Sequence, residues 1–201
     1  MADAAFWDDR YAHEELVYGD APNDFLAGLT PRLPRTGRAL DLGAGQGRNA
    51  LFLASRGLDV LAVDQSPVGM ERAARLAHER GLSLRTQAAD LREFDAEPAS
   101  LDVVTCIFVH LPPPLRATVL ARVRSWLRTG GLFVLEAYAP EQIGRGTGGP
   151  PDPTWYASLE TIERELGGLA IEHRAAIERE VNEGRFHRGT ASVVQVVARR
   201  E

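Results

Sequence analysis

The sequence has no lysine and a single cysteine, and both shortages limit the chemistry that the protein can perform. All 23 basic residues are arginine, which excludes a lysine Schiff base and the lysine of a phosphate-binding Walker loop. Cys106 cannot form an intrachain disulfide, because the chain has no second cysteine. Since it lies in the apolar run VVTCIF, we interpret it as a buried hydrophobic residue of a protein from a reducing compartment.

Long apolar runs and an excess of positive charge are also missing. No segment approaches the roughly 18 apolar residues that cross a bilayer, and the N-terminus MADAAFWDDR lacks the apolar stretch of a signal peptide. The formal net charge of −5 argues against a nucleic-acid surface, because such a surface needs basic residues that displace counterions from phosphates. We predict a cytoplasmic monomer or homodimer with a small-molecule substrate and no nucleic-acid or membrane partner.

What is present is a regular alternation of apolar runs and helical patterns between residues 38 and 138. The runs RALDL, LDVLAVD, LSLRTQAAD, LDVVTCIFV and GLFVLEAY are typical of buried strands. The segments between them include RNALFLASRG, SPVGMERAARLAHERG and PPLRATVLARVRSWLRTGG, which have helical periodicity and end in glycine. Buried strands that alternate with helices predict a doubly wound α/β fold with a mostly parallel sheet.

Residues 1–37 are predicted to form a helical cap on this core, within a single domain of 201 residues. The segment FWDDRYAHEEL has the pattern of an amphipathic helix. Its side chains either pack the helix against the core or form a lid whose aromatic faces attract a cationic ligand. The residues in question are Trp7, Arg10 and Tyr11 of this segment and Tyr18, which follows it.

Residues 139–201 depart from the alternation. The Gly- and Pro-rich segment APEQIGRGTGGPPDPTWY is either a plain connector or a lid over a substrate. A predicted helix, SLETIERELGG, is followed by two strand-like stretches joined by NEGRFHRG, and the charged runs ERELGG and IERE are interpreted as solvent-exposed faces. Because a hairpin joins neighbouring antiparallel strands, we predict one antiparallel strand at the edge of the sheet.

The stretch LDLGAGQGRNA, which includes the end of the first predicted strand, is the clearest candidate for a ligand-binding loop. In an open α/β sheet, ligands bind beyond the carboxyl ends of the strands, where glycines allow positive φ angles and close approach to the backbone. A dinucleotide-binding loop has the spacing GxGxxG, but here Arg48 stands where the third glycine belongs. NAD is therefore disfavoured, and the lack of lysine disfavours a nucleoside triphosphate.

Two aspartates at the ends of later predicted strands indicate a nucleoside without a pyrophosphate. Asp64 ends the run LDVLAVD, 21 residues after Gly43. A carboxylate at this position can accept hydrogen bonds from both hydroxyls of a ribose. Asp90 closes the third predicted strand, where the amino group of an adenine could donate to it.

Four segments in this order resemble the class I S-adenosylmethionine-dependent methyltransferases. LDLGAGQG is similar to their first motif, VLAVDQS to the second, AADL to the third, and LRTGG before LFVLEAY to the turn that precedes the fifth strand. The resemblance covers residues 38–138 and implies a Rossmann-like sheet of seven strands, with an antiparallel seventh strand beside the fifth. GRNALFLA and the pair His187 and Arg188 resemble in particular the tellurite-resistance and thiopurine-type small-molecule methyltransferases.

The resemblance implies S-adenosylmethionine as the cofactor and S-adenosylhomocysteine as its product. Asp41 and the glycines would lie against the methionine portion, Asp64 would bind the ribose, and Asp90 would border the adenine. The implied cofactor-binding residues are Asp41, Gly43, Ala44, Gly45, Gly47, Arg48, Asn49, Asp64, Gln65, Ser66, Asp90, Leu91, Ile107 and Phe108.

Three residues are candidates for catalytic contacts with the methyl acceptor. His110 follows the fourth predicted strand and is either a base or a polar residue of the pocket wall. His187 and Arg188 lie in the predicted hairpin and either hold an oxyanion or carboxylate or are simply solvated. The resemblance implies a small, often soft acceptor such as a thiol, a halide or tellurite. The alternative is a non-catalytic regulatory protein that binds the cofactor or its demethylated product.

Overall fold

In a computed structural model, which describes residues 4–13 and 15–201, the chain forms one seven-stranded sheet flanked by helices. The strands are Arg38–Leu42 (β1), Asp59–Asp64 (β2), Arg85–Ala88 (β3), Leu101–Ile107 (β4), Leu127–Tyr138 (β5), Ala170–Asn182 (β6) and Arg188–Arg199 (β7). The helices are Ala4–Tyr11 (α1), Asp24–Gly28 (α2), Arg48–Ser55 (α3), Pro67–Glu79 (α4), Pro113–Trp126 (α5) and Leu159–Glu165 (α6). None of the helices in this described part is long and apolar enough to cross a membrane.

The strand order is β3-β2-β1-β4-β5-β7-β6, in which β1 to β5 are parallel and β7 pairs antiparallel with both β5 and β6. This confirms the Rossmann-like, mostly parallel sheet with an antiparallel strand near the C-terminus. The expectation from the hairpin pattern that the antiparallel strand lies at the edge is wrong. β7 lies between β5 and β6, so that β6, which precedes β7 in the chain, is the edge strand.

Apolar residues on both faces of the sheet hold the helices in place. On one face, Phe133 of β5 and Trp126 of α5 belong to a cluster that includes α6. On the other face, Leu53 of α3 and Met70 of α4 pack with α2. Burial on both faces explains why the central strands read as continuous apolar runs rather than as alternating ones.

The helix boundaries follow the local signals of the sequence at several points. Ser66 Oγ accepts a hydrogen bond of 2.9 Å from the backbone N–H of Gly69, and Pro67 follows as the first residue of α4. Gly57 and Gly81, just after α3 and α4, have φ angles of +97° and +65°, as expected for glycines that end helices. These predicted ends are therefore confirmed.

Other boundaries differ from the prediction. α5 ends at Trp126, and the strand begins at Leu127, because the side chain of Leu127 is fully buried and the residue pairs with Leu101 of β4. α1 ends at Tyr11, before the end of the amphipathic pattern; Glu14 of that pattern lies outside the described residues. The short helix α2 was not predicted, although Asn23 caps it by accepting a 3.0 Å hydrogen bond from the Leu26 amide.

Candidate active site

The glycine loop, residues 43–47, joins β1 to α3 at the carboxyl end of the sheet. Gly43, Gly45 and Gly47 have φ angles of +62°, +55° and +90°, which favour glycine over residues with a side chain. A Cβ atom on Gly47 would lie 2.7 Å from the Cβ of Ala73, so this glycine lets α3 and α4 pack closely. The loop therefore presents mainly backbone to its surroundings, as the sequence predicted.

Asp64 lies at the end of β2, directly beside the glycine loop. Its Oδ2 accepts a hydrogen bond of 2.9 Å from the Gly45 amide, and its Oδ1 accepts one of 2.9 Å from the Ser66 amide. Burial raises the pKa of Asp64, while these backbone hydrogen bonds oppose the rise. The carboxylate is thus held in one orientation at the end of the strand.

Asp41 and Arg48 stand before and after the glycine loop, and each buries a polar atom that lacks a hydrogen-bond partner among the described residues. Asp41 Oδ1 accepts a bond of 2.6 Å from Thr105 Oγ1, but Oδ2 is unpaired. Arg48 Nη2 pairs with Glu183, but Nη1 is unpaired. Burial raises the pKa of Asp41 to about 7, against the effects of Thr105 and of the Arg48 charge. A buried carboxyl oxygen and a buried guanidinium nitrogen, both without hydrogen-bond partners in the described residues, therefore flank the loop.

A buried ion network, which the sequence analysis missed, connects Arg48 to the C-terminal strands. Arg179 of β6 donates two hydrogen bonds of 2.7 Å to Glu136 of β5 and one of 2.7 Å to Glu183. Glu183 in turn pairs with Arg48. The interpretation of IERE as an exposed face is therefore wrong for Arg179. The side-chain amides of Asn23 and Gln195 also donate hydrogen bonds to carboxylates of this network.

Helix α1 lies across the glycine loop. Tyr11 is only 4% exposed, and its hydroxyl oxygen is 2.8 Å from the position that a Cβ on Gly45 would take. Trp7 stacks on Tyr11 with ring centroids 5.6 Å apart. Asp8 Oδ1 accepts hydrogen bonds from the Ser66 hydroxyl and the Val68 amide, which ties α1 to the start of α4. Helix α1, which belongs to the predicted cap, therefore both packs on the core and covers the glycine loop.

An aromatic cluster lies at the carboxyl ends of β4 and β5. The Phe108 ring is 4.7 Å from that of Tyr138 and 4.8 Å from that of His187, and the Tyr18 ring is 4.6 Å from His187. Phe108 has a φ of +54°, an unusual conformation that often occurs at functional sites. His110 and Tyr156 complete the cluster.

His110 stacks on Tyr138 within this cluster, with ring centroids 5.3 Å apart. Its Nε2 accepts a hydrogen bond of 3.1 Å from the backbone N–H of Tyr138. Burial lowers the pKa of His110 to about 4, so the imidazole is neutral at pH 7. The ring nitrogen that could accept a proton, Nε2, therefore already accepts a hydrogen bond from the protein backbone.

The structure separates the two residues of the predicted His–Arg pair. His187 is buried in the aromatic cluster, and its Nδ1 has no hydrogen-bond partner in the described chain. Burial, followed by the charges of Arg48 and other neighbours, lowers the pKa of His187 to about 3. Arg188, the first residue of β7, is exposed instead. The two neighbouring side chains therefore lie in different environments, one buried in the aromatic cluster and the other exposed.

The Gly- and Pro-rich segment after β5 lies on the aromatic cluster. The hydroxyl of Tyr138 donates a hydrogen bond of 3.0 Å to the carbonyl oxygen of Thr147. A Cβ on Gly148 would lie 2.7 Å from that hydroxyl oxygen and 2.9 Å from Cδ2 of His187. The segment is thus in contact with the predicted acceptor side of the site, and a side chain at Gly148 would clash there.

The remaining predicted cofactor residues take varied positions. Asp90 is partly exposed and pairs with Arg92, whose hydrogen bonds lower the Asp90 pKa. Asn49 Oδ1 accepts a 2.9 Å hydrogen bond from the Asn23 amide, which makes it a support of the N-terminal segment. The others are buried or partly buried near the strand ends, at Ala44, Gln65, Leu91 and Ile107.

The described residues contain no cluster of three or more His, Cys, Asp or Glu side chains that could hold a metal ion. Cys106 is buried near the end of β4, and burial raises the pKa of its thiol to about 12. The features of the site that could contact a ligand are therefore the glycine loop, the two polar groups that flank it and the aromatic side chains.

Comparison with known proteins finds a match to a methyltransferase domain family over residues 39–131. Among curated proteins, the chain is 36% identical over 95 residues to hemagglutinin 1 of Eikenella corrodens, which covers 47% of this chain and 32% of that protein. It is 33% identical over 102 residues to carboxy-S-adenosyl-L-methionine synthase of Trichlorobacter lovleyi, covering 47% and 42% respectively. The chain thus spans less than half the length of these two relatives.

Solved structures share the fold over nearly the whole chain. TehB from Haemophilus influenzae has a TM-score of 0.73 and 15% identity, covering 98% of this chain and 67% of that one. A structure from work on the conversion of a disulfide bond into a thioacetal group during echinomycin biosynthesis has a TM-score of 0.78 and 19% identity, covering 99% and 90%. At these identities the likeness shows the fold.

Proposed function

We propose that the protein transfers the methyl group of S-adenosylmethionine to a small-molecule acceptor, because residues 39–131 match a methyltransferase domain family and their motifs resemble the class I S-adenosylmethionine-dependent enzymes. The observation that carries the proposal is the pair of buried polar atoms without hydrogen-bond partners beside the glycine loop. Asp41 Oδ2 and Arg48 Nη1 are both buried and unpaired within the described chain. An amino-acid tail, with an ammonium and a carboxylate, supplies the partners that both groups lack.

The rest of the site also fits this cofactor. Gly43 and Gly45 let Val109 and Tyr11 approach the loop backbone closely, because a Cβ at either glycine would clash with them, and these two side chains would border the tail. Asp64, held by the amides of Gly45 and Ser66, would accept hydrogen bonds from the ribose hydroxyls. Leu91 and Asp90 would border the adenine, as expected from the sequence.

When bound, the cofactor supplies a methyl group on a positively charged sulfur that leaves as a neutral thioether. The task of the chain is to align the acceptor with that methyl group and to exclude water. Helix α1 covers the glycine loop through Tyr11, and the loop segment at Thr147 and Gly148 covers the aromatic cluster. Aromatic faces of the cluster would stabilise the positive sulfur.

The cluster favours an acceptor that needs no base. His110 Nε2 already accepts the Tyr138 amide, and burial lowers the pKa values of both His110 and His187 to about 4 and about 3. Neither imidazole is therefore suited to take a proton from a hydroxyl or an ammonium group at pH 7. A soft nucleophile that is already anionic, such as a thiolate, a halide or a chalcogen oxyanion, can attack without proton transfer.

Incubation with methyl-labelled S-adenosylmethionine and a panel of acceptors tests this proposal. We expect labelled product from members of the group formed by thiols, iodide and tellurite, and little from phenols and amines. Product from amines or phenols alone would contradict the choice of acceptor class. If S-adenosylhomocysteine raises the melting temperature but no acceptor is methylated, the result favours a non-catalytic binding protein instead.

A further inference from the structure

The tip of the β6–β7 hairpin carries an exposed aromatic ring with two guanidinium groups near it. Phe186 is 38% exposed, and the guanidinium carbon of Arg10 lies 4.4 Å from its ring centroid. The guanidinium carbon of Arg185 lies 5.7 Å from the same centroid. Arg10 belongs to α1, so this contact joins the N-terminal helix to the C-terminal hairpin.

These two arginines differ from those inside the molecule in the way their charge is balanced. Arg179 and Arg48 are paired with buried carboxylates of Glu136 and Glu183. No ion pair with a carboxylate is found for Arg10 or Arg185 among residues 4–13 and 15–201. Their partners are aromatic instead: Arg10 lies over the rings of Phe6, Trp7 and Phe186, and Arg185 lies over the Phe186 ring. Two cations near one ring repel each other, and an anion beside them would relieve that repulsion. The tip is thus a local positive region on a chain of net charge −5.

A short path of contacts leads from this tip into the aromatic cluster. Arg10 Nη1 donates a hydrogen bond of 2.9 Å to the hydroxyl of Tyr18. The Tyr18 ring lies 4.6 Å from that of His187, whose buried Nδ1 has no partner in the described chain. The backbone N–H of Arg185 donates a 3.0 Å hydrogen bond to the Val17 carbonyl, which fixes the hairpin tip beside this path.

We propose that Arg10 and Arg185 select acceptors that carry a negatively charged group, and that they bind this group at the entrance formed with Phe186. This inference rests on the proposed function and adds the charge of the acceptor to it. The planar part of such an acceptor packs on the Phe186 and Tyr18 rings. The negative group bridges the two guanidinium groups, each of which supplies charge-assisted hydrogen bonds.

The group held by Arg10 and Arg185 is not the attacking atom; the nucleophile of such an acceptor is a second, soft anion such as a thiolate. An anionic nucleophile forms the new bond to the methyl carbon with its own electron pair, while the carbon–sulfur pair passes to sulfur. The positive sulfur and the negative nucleophile both become neutral, and no proton moves. Opposite charges attract more strongly in an enclosed site of low dielectric constant than in water.

A binding experiment with a matched pair of probes tests the inference. The protein is saturated with S-adenosylhomocysteine and titrated calorimetrically with benzoate and with benzamide, which differ in charge but not in the ring. We expect benzoate to bind about tenfold more tightly than benzamide, because it can form the charge-assisted hydrogen bonds. The variants Arg10→Gln and Arg185→Gln are each expected to remove most of that difference.

Arg75→Gln is the matched control, because Arg75 is an exposed arginine on α4 that pairs with Glu79. It should leave the benzoate preference unchanged. Equal affinity for benzoate and benzamide in the wild type would overturn the inference, as would an equal effect of Arg10→Gln and Arg75→Gln. If the protein fails to bind S-adenosylhomocysteine, the proposed function itself fails, and that outcome is visible before any probe is added.

Discussion

The carboxylate of Asp64 accepts a hydrogen bond of 2.9 Å from the backbone amide of Gly45. This bond joins the end of β2 to the middle of the glycine loop, two segments that meet because β1 and β2 are parallel neighbours. The bond holds the carboxylate next to the backbone of the loop. A side chain at Gly45 would block access to that backbone. The position expected for the ribose and that expected for the methionine tail are therefore set by one contact.

Replacement of Asp64 by asparagine should weaken binding of S-adenosylhomocysteine. The loss of charge-assisted hydrogen bonds to the ribose costs about 1.5–3 kcal/mol, or roughly tenfold or more in dissociation constant. Isothermal titration calorimetry measures the change. Asp59→Asn is the control, because Asp59 lies on the same strand but pairs with Arg85 at the surface. Equal affinities for wild type and Asp64→Asn would show that the ribose lies elsewhere.

Substitution of Gly45 by alanine should abolish cofactor binding through a clash rather than through backbone strain. The new Cβ would lie 2.8 Å from the Tyr11 hydroxyl oxygen, so α1 would be displaced from the loop. Gly81→Ala is matched for strain, because Gly81 also has a positive φ, of +65°, but a Cβ added there would meet no atom within 4 Å. Affinity for S-adenosylhomocysteine reports the outcome, together with intrinsic tryptophan fluorescence, to which Trp7 contributes beside Trp126 and Trp155. Retention of affinity in Gly45→Ala would contradict the proposed position of the tail.

Asp41 should make the stability of the ligand-free protein depend on pH. Burial raises its pKa from 3.8 to about 7, so between these values the folded state binds a proton that the unfolded state has lost. The stabilisation is complete below the lower value and is lost as the pH rises through the upper one. Melting temperatures at about pH 5 and pH 8 should therefore differ less in Asp41→Asn than in the wild type. An identical pH dependence in both proteins would refute this assignment.

The buried ion network should be sensitive to the loss of one carboxylate. Glu183→Gln leaves Arg48 and Arg179 with less compensation for their charge, and breaking a buried pair in this way costs about 3–5 kcal/mol. The free energy of unfolding in urea measures the effect. Glu97→Gln removes the exposed pair with Arg38 and should change stability by less than about 1 kcal/mol. Similar effects of the two substitutions would mean that the network contributes little.

The core of the site could be predicted from the sequence because its signals are local. The spacing of Gly43, Gly45 and Gly47 and the strand-end position of Asp64 follow from short motifs and strand periodicity. The structure places Asp64 against the loop, as a parallel β1–β2 pair requires. The general α/β fold was predictable for the same reason, since each strand and helix carries its own periodic pattern.

The ion network could not be predicted, because its members are far apart in the sequence. Arg179 and Glu183 lie in or near a charged run of a kind that is usually exposed, and nothing local indicates that Glu136 lies opposite them. Only the insertion of β7 beside β5 brings these strands together. The different environments of His187, which is buried, and Arg188, which is exposed, also could not be read from their adjacency in the sequence.

Calorimetric titration of the intact chain with S-adenosylhomocysteine and, separately, with NAD tests the central claim most directly. Both ligands contain a ribose and an adenine, but only the first carries an amino-acid tail for Asp41 and Arg48. We predict saturable binding of S-adenosylhomocysteine that weakens in Asp64→Asn, and no binding of NAD at the same concentrations. Binding of NAD without binding of S-adenosylhomocysteine would contradict the account.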